Sequence, residues 1–143
     1  MTELATTLRA RVEPLLEAGE ELLGTCLATE QTLFSGHPTA VGVTQRRLLL
    51  QPLDRKFEPR GEPLLLRHED VVAADAGGES VLSSGLSEAL VDAATTTLKL
   101  RTTSGRKVKL MMMRGGSLLG RLGGGEEQQA GIRALADWFA RAD

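Results

Sequence analysis

The side chains able to do chemistry are few. His37 and His68 are the only histidines, Cys26 is the only cysteine, and tyrosine is absent. Metal sites draw their ligands from closely spaced pairs, and these three residues lie on separate segments without such pairing. His68-Glu69-Asp70 sets an imidazole beside two carboxylates, a combination suited to acid–base work or to holding a cation. As an isolated polar triplet it reads instead as a solvated turn entering the apolar run Asp70–Ala74. No serine stands in the Gly-x-Ser-x-Gly frame of a nucleophile elbow, since Ser83-Ser84-Gly85-Leu86-Ser87 lacks it. The glycines from Gly115 to Gly125 lack the Gly-Lys-Ser/Thr ending of a phosphate loop and read as a flexible connector. Cys26 has no disulfide partner and reads as a small buried hydrophobe. These absences point to a protein that is not an enzyme and that uses no cofactor or metal.

Charge is more informative. The net charge is -2, but the six acids between Met1 and Glu30 face only Arg9 and Arg11, whereas Ala93–Gly125 carries seven bases and no acid. Either the acidic N-terminal segment packs near the basic stretch and neutralises it, or that stretch meets an anionic partner. The balanced total favours neutralisation.

The basic stretch has a definite predicted shape. In TTTLKLRTTSGRKVKLMMM, Leu98 and Leu100 alternate with Lys99 and Arg101, and Val108 and Leu110 alternate with Lys107 and Lys109. A hairpin with Thr103-Ser104-Gly105 as its loop, Gly105 taking the left-handed position, pairs Leu98 with Leu110 and Leu100 with Val108. On the other face it sets Lys99 opposite Lys109 and Arg101 opposite Lys107, an unfavourable arrangement that calls for counter-charge from the protein or from a ligand. Met112 should point inward, leaving Met111 and Met113 beside the cations as adaptable apolar contacts unless a helix covers them. The candidate anion- or partner-binding residues are therefore Lys99, Arg101, Lys107, Lys109, Met111 and Met113, with a second group in Arg46, Arg47, Arg55 and Lys56.

The elements that must position these residues follow from periodicity. Leu4, Leu8, Val12, Leu15 and Leu16 predict an N-terminal helix within residues 1–18, kinked or restarted at Pro14. ELLGTCLA, TAVGV, RRLLLQPL, EPLLLR and DVVAA then read as short antiparallel strands, with no room between them for the crossovers of a parallel sheet. Gly77–Ala94 reads as loop with a short helix starting near Ser87. The chain closes with an amphipathic helix over residues 126–142, whose Ile132, Leu135, Ala136 and Phe139, flanked by Trp138, must cover an edge or end of the sheet. Residues 19–143 thus form one β-rich domain.

That order of elements, one strand, a hairpin, two strands, a second hairpin and a last helix, resembles bacterial proteins with a pleckstrin-homology-like fold. The resemblance rests on AGEELLGTCLA, VGVTQRRLLLQ with its Thr-x-x-Arg turn, EPLLLRHEDVVAA, TLKLRTTSGRKVKL and IRALADWF, and covers about residues 17–140. It implies a mainly β fold, a seven-stranded partly open barrel of two nearly orthogonal sheets capped by the last helix. It also implies binding of a lipid headgroup, a peptide or another protein, and no catalysis. Lipid-binding members carry Lys and Arg on the first two strands and their loop, whereas Leu22–Val43 here has neither. The expected function is a binding or scaffolding module for another protein, the alternative being an anionic membrane surface or ligand met by the basic hairpin. With one tryptophan, three phenylalanines and no tyrosine, stacking platforms for nucleic acid are scarce. A homodimer is compatible with each reading. No apolar run suits a signal peptide or a membrane span, so the expected location is the cytoplasm.

Overall fold

The computed structural model describes residues 3–33, 35–113 and 125–141. Its elements are α1 (Glu3–Val12), β1 (Leu22–Gln31), β2 (Gly36–Thr44), β3 (Arg47–Pro52), β4 (Leu64–Arg67), β5 (Val71–Ala76), β6 (Glu79–Ser80), α2 (Glu88–Asp92), β7 (Thr95–Thr102), β8 (Lys107–Met113) and α3 (Gly125–Ala140). The protein is mainly β: all eight strands form one antiparallel sheet in the order β4-β3-β2-β1-β8-β7-β5-β6, which does not close on itself. Arg114, Arg121 and the glycine-rich connector before Gly125 lie outside the described residues.

The strands differ from the sequence reading at β1, which runs past Ala28 to Gln31, at the start of β2 and in an added β6. The eighth strand, β6, arises because Gly77 and Gly78 adopt φ of 61° and 83° and return the chain in a two-residue turn that pairs Ala76 with Glu79. Gly36, His37 and Pro38, which precede the segment TAVGV, belong to β2 as well, with Pro38 opposite Thr29. Proline is tolerated there because its ladder side faces the end of β3, where only its carbonyl is used, by Leu53 N at 2.9 Å.

The three residues His68–Asp70, a 3-10 turn, join β4 at one edge of the sheet to β5 near the other. Laid flat, those strands would stand about 29 Å apart at about 4.8 Å per strand. A three-residue 3-10 turn advances only about 6 Å. The sheet must therefore roll up, and α3 fills the roll. Ile132, Leu135, Trp138 and Phe139 of α3 are buried with Cys26, Val41, Leu48, Leu98, Leu110 and Met112 in the main core. Burial pushes the Cys26 thiol up to about 12, so it remains an uncharged apolar group.

Helix α3 also completes the ladder of β1, which pairs with β8 only over Ala28–Glu30. Beyond that point the Gln128 amide takes over: Oε1 accepts from Leu27 N at 2.8 Å and Nε2 donates to Leu27 O at 2.7 Å. Gly131 lets the helix come this close, because a Cβ there would lie 1.9 Å from Thr25 O. At the seam between β4 and β5, His68 stacks on Trp138 at 3.9 Å and 19°, with Nε2 2.9 Å from Trp138 O. The turn expected to be solvated at His68 is thus fastened to the last helix, since rolling the sheet carries it onto α3.

On the outer face, α1 packs Leu4, Leu8 and Val12 against Ala40, Leu49 and Leu53. Arg11 ties its end to the loop after β3, Nε donating to Phe57 O at 2.6 Å. Between α1 and β1, the buried Glu20 carboxylate accepts from Arg47 Nε and from the Thr44 hydroxyl, each at 2.8 Å, while Arg47 also donates to Leu15 O at 2.8 Å. Hydrogen bonding from Arg47 holds the Glu20 carboxyl down at about 2, against the opposing effect of burial.

Glu20→Gln should cost about 3–5 kcal/mol in urea unfolding, because it removes the hydrogen-bonded carboxylate from the buried Arg47 guanidinium and leaves only the exposed Glu17, 3.7 Å from Nε. Glu20 sits below its ordinary 4.5. Its contribution should therefore be complete above pH about 4.5 and fade as pH falls toward about 2, a loss that the Gln variant lacks.

Candidate binding face

A rolled sheet has an outer face, and α1 covers it only over β1, β2 and β3. No described residue outside these strands covers the outer face over β5, β7 and β8, where Lys99, Arg101, Lys107 and Lys109 are exposed. The hairpin has the predicted register: Leu98 opposite Leu110, Leu100 opposite Val108, Lys99 opposite Lys109 and Arg101 opposite Lys107. Gly105 takes φ of 90° in its loop. The apolar members are buried in the main core, and the four cations are exposed.

The cations line a trough of about 440 Å³ together with Gln31 of β1 and Ala73 and Asp75 of β5. Register places Asp75 beside Lys99 and Ala73 beside Arg101. Among the described residues, no carboxylate lies within 4.0 Å of the charged groups of Lys99, Arg101, Lys107 or Lys109. A second concavity continues the first past Gln31 and Lys109 to Thr32, Leu33 and Ser35 at the β1–β2 turn. Met112 is fully buried, Met111 is half-buried with its sulfur 3.7 Å from Gln31 Nε2, and Met113 is exposed at the far end of β8.

The expectation that N-terminal acids neutralise the basic strands is corrected by these positions. Glu17 and Glu20 turn to Arg47 at the start of β3 and Arg67 at the end of β4, away from the hairpin. Of the six acids up to Glu30, only Glu30 reaches the hairpin, at Arg106, 3.8 Å away. The reason is topological: α1 and the segment after it run along the β1–β3 half of the outer face.

The second candidate group does not assemble. Arg47 is 6% exposed and committed to Glu20, so it is a structural cation, and Arg46 turns back toward Ala18 O at 3.4 Å. Arg55 and Lys56 are exposed at the opposite end of β3, about 20 Å away along a six-residue strand. There Asp54 Oδ1 accepts from the Lys56 and Glu58 amides at 2.8 and 3.0 Å.

Sequence reasoning passed over Gln31, Leu33 and Asp75. Asp75 had no periodic signal: strict alternation groups it with the buried Val71, and the bulge between Val71 and Ala73 turns Ala73 and Asp75 outward. Gln31 had none, since its place depends on β1 running on past Ala28.

No family model matches the chain, and no curated protein sequence matches it. Among solved structures it is similar to the crystal structure of the C-terminal domain of an unknown protein from Leishmania infantum, at 11% identity and a TM-score of 0.48. The match covers 90% of this chain and 98% of that one.

Like charges directly opposite one another destabilise a sheet. Replacing Lys99 and Lys109 together by Gln should therefore raise stability by about 0.5–1 kcal/mol, more at low salt than at high. Thermal unfolding at two ionic strengths measures this; a loss of stability would mean that these cations are already compensated within the fold.

Proposed function

We propose that this protein is a bacterial pleckstrin-homology-like module of the cytoplasm, without catalytic activity, that binds an acidic segment of another protein on the outer face of β5, β7 and β8. The observation that carries this reading is the cluster Lys99, Arg101, Lys107 and Lys109, exposed on a face that no other described element covers and with no carboxylate of the described residues in ion-pair reach. Holding like charges together costs stability, so a fold that presents them outward gains when an anionic partner arrives. The rolled sheet with its terminal helix is consistent with the family reading. The described residues contain no cluster of His, Cys, Asp and Glu that could hold a metal ion, and none of their helices is long and apolar enough to cross a membrane.

A trough suits a protruding ligand better than a flat bilayer, which favours a polypeptide over a membrane surface. Replacing Lys99, Arg101, Lys107 and Lys109 together by Gln should reduce binding of a fluorescent acidic peptide at least about tenfold, and wild-type binding should weaken steeply with salt. Equal binding by the variant would remove this face from consideration. Binding to phosphatidylserine vesicles but not to the peptide would favour the membrane reading instead.

A further inference from the structure

The trough is not uniformly cationic, and its two walls differ. On the β5 side stands Asp75, half-buried, next to Lys99 in register and without an ion-pair partner among the described residues. On the β1 side stands Leu33, 88% exposed, in the concavity that shares Gln31 and Lys109 with the trough. The turn that carries it is fastened: Thr32 N donates to Ser35 O at 2.8 Å, and the Thr32 hydroxyl accepts from Ser35 N at 3.1 Å. Across the strands the order is therefore acid, paired cations, amide, apolar side chain.

A polyphosphate or an anionic headgroup would meet repulsion from Asp75 and gain nothing from Leu33. We infer that the ligand is a polypeptide segment of mixed chemistry: acidic side chains over the Lys/Arg cluster, a basic side chain toward Asp75 and an apolar one against Leu33. Laid across the strands, a segment reaching from Leu33 at the β1 side to Asp75 on β5 spans about 14 Å at about 4.8 Å per strand, and acids between its apolar and basic ends lie over the cations of β8 and β7. This inference rests on the proposed binding face and adds the character of its ligand.

The probe is a short synthetic peptide with glutamates at alternate positions between a leucine and a lysine, compared with one in which the lysine is glutamine. Asp75→Asn should weaken the lysine peptide about fivefold, the range of a partly exposed ion pair, and should not weaken the glutamine peptide, whose glutamates lose only a repulsion. Leu33→Ser, at an exposed turn where folding is not at risk, should weaken both peptides about fivefold. Inorganic tripolyphosphate and phosphatidylserine vesicles serve as the other arms. If Asp75→Asn tightens binding of the lysine peptide or leaves it unchanged, or if tripolyphosphate or vesicles bind more tightly than the peptide, the inference is overturned. If replacing the four cations by Gln leaves every probe unaffected, or if the lysine peptide fails to bind at low salt, the underlying face is wrong as well. Dependence on the cations without dependence on Asp75 and Leu33 would defeat this inference alone.

Discussion

The short link between β4 and β5 governs the rest of the molecule. Three residues join strands that are six places apart in the sheet. No flat arrangement permits this, so the sheet rolls and acquires an inside and an outside. The inside is large enough to need a helix, and α3 supplies one through Ile132, Leu135, Trp138 and Phe139. Its close seat on β1 depends on Gly131, and the stack of His68 on Trp138 pins the link to the helix it encloses.

The outside is then a matter of reach. Helix α1 has ten residues. At about 1.5 Å per residue that is about 15 Å, the width of about three strands. It covers β1 to β3, where Ala40, Leu49 and Leu53 are apolar on the outer face. Farther round, the same face carries Lys99, Arg101, Lys107 and Lys109, which have no use for an apolar cover. Glu17 and Glu20 go where α1 leads them, to Arg47 and Arg67. Topology thus separates the chain's acids from its densest bases, and a nearly neutral protein presents a cationic trough.

Much of this was legible in the sequence because it depends on local alternation. The Leu98–Leu110 register followed from period two and one glycine, and the helix over Ile132–Phe139 from its apolar stripe. What could not be read was long-range. That Arg47 is buried beneath Glu20 depends on a contact across 27 positions, and the charge of Arg47 alone made it look like a surface residue. The role of His68 required knowing that the sheet rolls. The exposure of the hairpin cations required knowing where α1 stops, whereas total charge, which carries no geometry, suggested neutralisation.

A backbone-amide NMR titration of the protein with the acidic peptide locates the binding face residue by residue. Shift changes should cluster at Gln31, Ala73, Asp75, Lys99, Arg101, Lys107 and Lys109 and leave α1 and β3 unmoved. Changes centred on α1 or the β2–β3 turn, or spread evenly over the sheet, would contradict binding at this face.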